Sequence, residues 1–326
     1  MTGQGTKISI GIPVYNGQDH IRAAIDSIIR QTYQNFELII SDNASTDETA
    51  AICQQYAAAD QRIKYYRQAQ NVGAAANFNR TFQLAEGAYF KWAAHDDVLE
   101  PTYLEQCVAA LERNPDAVLC QSLVKIINDQ GECLHTYNHA AFGTDSPRIS
   151  ERFAARLTPR YCMDVFGLIR SDALRRTGLI RYHLGSDRTL LVELALLGRF
   201  LLVPEFLFLN REHPRRFKRQ FRHPRSELAW YAPNKAGRSR QDSWRMFRTW
   251  VFYLKSLRLI RRHVADRAER LRCYGHLIWS VRLHQRWLYL MLEPLMVLDP
   301  RLGVLAKTIN RSLRRRAPHG SQVSKV

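Results

Sequence analysis

The chain has 326 residues with 48 Lys and Arg against 30 Asp and Glu, and six cysteines with no close pair. That length allows one large domain or two modest ones of about 100–200 residues each, and the cysteine spacing suggests neither a zinc clip nor a disulfide framework. The charge is segregated, because residues 1–210 carry 20 basic against 23 acidic side chains and residues 211–326 carry 28 against 7. The pattern excludes an evenly charged surface and divides the protein into a near-neutral body and a cationic appendage suited to an anionic partner.

Only Lys7 precedes a short apolar run broken by Pro13, too brief for a signal peptide. The expected location is cytoplasmic. Short β-branched or aromatic runs then read as strands: "KISIGIPV" (7–14), "FELIIS" (36–41), "IKYY" (63–66), "AYFKWAA" (88–94) and "AVLCQSLVKII" (117–127). Between them, "GQDHIRAAIDSIIRQ" sets Ile21, Ile25, Ile28 and Ile29 on one helical face, and "STDETAAICQQYA" opens with a Ser45-x-x-Glu48 capping box. Such alternation predicts an α/β fold with a mostly parallel sheet covered by helices on both faces. Residues 128–159 read as a connection, and "YCMDVFGLIRSDALRRTG" resumes order on the acceptor side.

Parallel sheets bind ligands beyond the carboxyl ends of their strands. The polar stretches there are "PVYN" (13–16), "SDNAS" (41–45) and "HDD" (95–97), all expected on one rim. Neither G-x-G-x-x-G nor a P-loop occurs, which argues against a dinucleotide dehydrogenase or P-loop ATPase. Asp96 and Asp97 are adjacent with no Lys or Arg within four residues. A divalent cation, Mg²⁺ or Mn²⁺, would relieve their repulsion, bridge to phosphate and act as Lewis acid for a departing diphosphate. Read alone, Asp97 serves as well to cap a helix starting near Pro101. Asp42 suits the N–H edge of a base and Tyr15 a stacking face, although Asp42 alone also fits a turn, and Asn71 and Gly73 also fit a loop entering a helix.

Three stretches in order, "IGIPVYNGQDHIRAAIDSIIRQTYQNFELIISDNASTDET", "NVGAAANFNRTFQLAEGAYFKWAAHDDVLEP" and "GSDRTLLVELALLGRFLLVPEFLFL", resemble the family 2 glycosyltransferases of GT-A fold. The likeness spans about residues 7–213. It implies a nucleotide-diphospho-sugar donor held by Pro13, Tyr15, Asn16, Asp42, Asn71 and Asp96, with Asp97, and Asp96 where it shares the ion, as metal ligands. It also implies Asp187 of "GSDR" as the catalytic base of an inverting displacement, although an acid here equally suits a helix start. This chain departs from the family pattern at Ala94, where an acid often completes Asp-x-Asp, at Phe78 in place of an Arg, and at Ser186 in place of a Glu. His213 in "REHP" fits either a further metal ligand or a capping residue.

From Arg211 the chain becomes a basic linker, "REHPRRFKRQFRHPR", followed by helical sequence rich in Trp, Leu and Arg. The catalytic domain is therefore expected over 1–210 and a basic helical region over 211–326. In residues 276–298, Arg282, Arg286, Tyr289 and Glu293 fall on one helical stripe and leave a wide apolar face. That is the pattern of a helix lying on an anionic membrane, and also of a helix packed on the catalytic body. The first alternative makes the protein peripheral on the inner face of the membrane, and makes truncation near Gly237 harmless to nucleotide binding. The expected acceptor is a glycan or lipid-linked hydroxyl, as in surface polysaccharide assembly. Competing functions are a metal-dependent phosphohydrolase and a non-catalytic binder of nucleotide sugars or nucleic acid, the last without any zinc-finger or RNA-recognition signature.

Overall fold

The computed structural model describes residues 5–138, 143–158, 162–214, 224–233, 245–283, 290–291 and 293. Strands β1 (Ile8–Val14), β2 (Phe36–Asp42) and β4 (Tyr89–Trp92) are buried along their whole length, because helices cover both faces. Helix α1 (Ile21–Ile29) buries Ile21, Ala24, Ile25 and Ile28, the spacing that one helical face requires. Helices α2 (Thr49–Ala59) and α3 (Ala74–Gln83) alternate with these strands and with β3 (Ile63–Arg67).

One nine-stranded sheet runs from β3 through β2 and β1 to β4, then in order to β8 (Leu168–Arg170), β6 (Ala117–Ile127), β9 (Arg199–Arg211) and β5 (Val98–Leu99), with β7 (Cys133–Tyr137) paired to β6. Its β3-β2-β1-β4 half is wholly parallel. Beyond it the sheet is mixed: β6 lies parallel to β9, whereas β8, β7 and β5 pair antiparallel. Strand order reverses between β1 and β4, so a ligand crevice is expected at their carboxyl ends. Helices α4 (Tyr103–Arg113), α6 (Ser171–Arg175) and α7 (Ser186–Leu197) complete this body.

Two local readings differ from the sequence pattern. Helix α2 starts at Thr49 with no side-chain cap of its own, and the Ser45 hydroxyl accepts the Asn16 N–H at 2.9 Å instead of closing a capping box. The stretch 128–159 holds β7 and α5 (Ile149–Leu157). Helix α5 was obscured because Arg152 and Arg156 interrupt its apolar spacing, yet both are buried, Arg156 against Asp164 at 2.8 Å.

After β9 come α8 (Pro224–Tyr231), α9 (Arg248–His263) and α10 (Arg267–Leu283). Phe252, Leu259, Ile260, Cys273 and Leu277 of the last two helices and Val264 between them form one apolar cluster with Phe153 and Leu157 of α5 and Val192 and Leu196 of α7. The Tyr253 and Ser280 hydroxyls, 2.9 Å apart, join α9 to α10. Glu293 is buried, with its carboxylate accepting the N–H groups of Thr249 and Trp250 at 2.9 and 3.1 Å. Those donors have no partner inside α9, so the acid satisfies the helix start. Arg286 and Tyr289 of the expected polar stripe lie outside the described residues, as does the side chain of Arg282. Among the described residues no helix is long and apolar enough to cross a membrane.

Candidate active site

Because β1, β2 and β4 are parallel neighbours, their carboxyl ends bring Tyr15, the turn at Asp42 and the His95–Asp97 stretch to one edge of the sheet. Asn16 adopts a left-handed conformation, φ 51°, which Asn tolerates better than most residues. It is held by its N–H on Ser45 and by its side-chain oxygen, which accepts the Thr46 N–H at 2.9 Å. Pro13 is buried beside Ser41 in register, and the ring of Tyr15 is 44% exposed at the rim. Gly17 seats this loop against the stretch after β4, where an added Cβ would stand 2.7 Å from the His95 ring.

Asp42 is fully buried, and its two oxygens accept the Ser45 N–H and the Tyr65 hydroxyl, each at 2.8 Å. The Asn71 side-chain oxygen accepts from the Asn43 amide and from the Gly73 N–H, both at 2.9 Å. That second bond closes an Asx turn into α3. These contacts rigidify the β2 turn and the loop before α3 as one unit.

The two adjacent acids diverge. Asp97 is buried, accepting from the Asn210 side chain at 3.0 Å and from the Arg211 N–H at 2.9 Å. Lys91 lies in the same layer and shares with Asp97, Ser27 and Phe208 the wall of a cavity of ≈ 10 Å³, room for about one water. Its ammonium donates to the Phe166 carbonyl and lies 4.5 Å from the Tyr103 ring centre. Burial pulls the Lys91 pKa down to about 7, opposed by Cys107 and Asp97.

Asp96 remains at the rim, with Oδ2 2.9 Å from Nε2 of His213, just beyond β9. The His213 and His20 rings stand 4.9 Å apart, and His20 Nε2 is 3.3 Å from Asp129. One ligand atom from each of His20, Asp129 and His213 lies within 4.8 Å of the others. Burial, reinforced by His213 and Arg211, lowers the His20 pKa, and the neutral ring it favours is the form that binds metals. His20 and Asp129 escaped sequence reasoning because they lie in unrelated loops, and the weighed His213 had no visible partner.

Asp187 is the second residue of α7, behind a left-handed Gly185 (φ 74°), and its Oδ1 accepts the Arg188 N–H at 2.8 Å. Glu227 and Tyr231 of α8 lie within its electrostatic reach. The arrangement thus combines a stacking face, a buried acid at the β2 turn, an imidazole–carboxylate cluster and a separate carboxylate at a helix start.

The comparisons with known proteins point to one family and one fold. An uncharacterized glycosyltransferase of Rickettsia typhi is 36% identical over 114 residues, 34% of this chain and 35% of that protein. The glycosyltransferase GlyA of Streptococcus pneumoniae is 37% identical over 99 residues, 30% of this chain and 14% of that protein. The chain therefore spans a minor part of the length of these curated relatives. Among solved structures, S. aureus TarS 1–349 in complex with UDP-GlcNAc superposes with a TM-score of 0.57 over 98% of this chain and 94% of that one, at 16% identity, and so shares the GT-A fold. The sequence model "Glycosyl transferase family 2" matches residues 9–178, from β1 to just past α6, and so takes in Tyr15, Asp42 and the His95–Asp97 stretch but neither Asp187 nor His213, and the protein belongs to that family.

Proposed function

We propose that the chain transfers a sugar from a nucleotide-diphospho-sugar donor to an acceptor hydroxyl with inversion. The observation that carries this reading is the convergence of Tyr15, Asp42 and the Asp96–His213 pair at the carboxyl ends of β1, β2 and β4 in a family 2 chain. Tyr15 stacks on the base, and Asp42 with Pro13, Asn16 and Asn71 shapes its pocket. Asp187 removes the acceptor proton as the oxygen attacks the anomeric carbon. The bond to the diphosphate breaks on the opposite face, and its electron pair leaves with the nucleotide. A nucleotide-sugar sensor would not need Asp187, and a phosphohydrolase would not need the acceptor side.

A divalent cation fits the rim. Asp96 and His213, with His20 and Asp129 beside them, supply mixed imidazole and carboxylate donors, a set that suits Mn²⁺ better than Mg²⁺. When bound, the ion neutralises charge on the departing diphosphate. Asp97 anchors β9 beneath the rim, so Asp96 is the ligand drawn from the pair. Thermal unfolding with UDP- and GDP-sugars tests this. Saturating donor should stabilise the protein by about 2–4 kcal/mol with Mn²⁺, and by much less with Mg²⁺, with chelator or in His213→Ala. Equal stabilisation under all four conditions would rule out the ion at this rim.

The expected membrane partner is an anionic leaflet. The outer sides of α9 and α10 expose Trp250, Leu254, Leu257, Leu271, Ile278 and Trp279, interspersed with exposed Arg258, Arg261, Arg262 and Arg272. Apolar and cationic side chains together match headgroups, each basic residue contributing about 1 kcal/mol. Binding to vesicles containing phosphatidylserine should fall with salt without vanishing. Indifference to these vesicles at low salt would refute the docking. A lipid-linked acceptor for surface polysaccharide assembly follows from such docking, and the protein would then be peripheral on the inner membrane face.

A further inference from the structure

Residues beyond the family match, which ends at residue 178, close on the site from two sides. On the donor side, Gly73 has φ 86°, and a Cβ there would fall 2.4 Å from the Tyr231 carbonyl oxygen at the end of α8. On the side of Asp187, the Arg245 carbonyl accepts the Leu184 N–H at 3.3 Å, and the Arg245 guanidinium donates to the Tyr182 carbonyl at 3.0 Å. The Arg248 side chain lies 3.5 Å from where a Gly185 Cβ would stand. Arg248 then bridges back to α8, with Nη2 2.6 Å from each carboxylate oxygen of Glu227. A single ion pair thereby couples the helix over the donor loop to the start of α9 under the Asp187 loop.

We propose that Glu227 and Arg248 are a positioning pair for Asp187, holding its loop against α8 and setting the charge that Asp187 faces as it takes the acceptor proton. This rests on Asp187 being the base. In the step it passes from carboxylate to neutral acid, so a neighbouring cation holds it ionised and a neighbouring anion favours the proton. Burial is the largest influence on the Glu227 carboxyl and pushes it up, Arg248 draws it down, and the Asp187 carboxylate pushes it up again. The two acids therefore sense each other, and Tyr231 of α8 and Cys162 lie within reach of the same Asp187 carboxylate, which opposes the ionisation of both. A purely structural clasp would be indifferent to the sign of these charges.

The test is nucleoside diphosphate release from UDP- and GDP-sugars with water as acceptor, followed against pH. Arg248→Gln should move the acid limb of the rate profile up by roughly one pH unit or more, and Glu227→Gln should move it down. Arg248→Lys should leave it near its original place, and donor-induced thermal stabilisation should persist in all three variants. Should Arg248→Gln fail to fold, the downward shift in Glu227→Gln and the rescue in Arg248→Lys carry the same sign test. Lower rates with an unmoved limb, or shifts of one common direction, overturn the pair's role. Asp187→Asn separates the two readings. If it stops release while the pair variants shift nothing, only the pair fails. If release persists in it, Asp187 is not the base and both fail.

Discussion

Asp187→Asn should lower sugar transfer by roughly 10²- to 10⁴-fold while donor-induced stabilisation and melting temperature stay close to wild type. Asn keeps the side-chain oxygen that accepts the Arg188 N–H at 2.8 Å, so the local turn survives. Loss of a negative charge from the first turn of α7 costs about 0.3–1 kcal/mol through the helix dipole, too little to unfold a domain. The substitution removes the one property that proton abstraction needs, a basic oxygen. If Asp187 only favoured the helix start, the variant would lose those tenths of a kcal/mol and turn over at the original rate. Kinetics with the donor identified by thermal shift, read beside the melting curve, decides between the two.

Truncation at Gly237 should be worse for the fold than any single substitution. It removes α9 and α10, and with them Phe252, Leu259, Ile260, Val264, Cys273 and Leu277 from the cluster around Phe153, Leu157, Val192 and Leu196. Fully exposing these last four alone would cost about 1.5–3 kcal/mol each, a sum comparable with the roughly 5–15 kcal/mol that holds a domain together. Glu227 would also lose Arg248, leaving a half-buried carboxylate without its cation. The expected result is a protein that aggregates or melts at least about ten degrees early and has lost donor binding. A truncated protein with native melting behaviour and intact donor binding would show that α9 and α10 are an accessory to a self-sufficient body, the outcome that composition alone suggests.

The sequence by itself determined the parallel half of the fold and the rim. Strand and helix periods are local, so β1, β2, β3, β4 and β6 and helices α1 and α2 are legible from neighbouring residues, and parallel pairing then obliges the stretches after β1, β2 and β4 to meet. The antiparallel insertions were less legible, since β5 and β8 are two and three residues long, too short to carry a period. Only the tertiary structure decided how the acidic pair is compensated. No cation stands near it in sequence, yet the fold sets Asn210 and Arg211 on Asp97 and His213 on Asp96 across 113 to 117 residues. It also buries Lys91 in the same layer. A polar partner delivered by sheet closure belongs to no repeating pattern and leaves no trace before the strands are paired. The basic helical region posed the complementary problem. Helix α10 carries apolar side chains both where it packs and where it remains exposed, so periodicity could not assign its inner face. The assignment came from α5 and α7, whose apolar side chains need that cover to leave water.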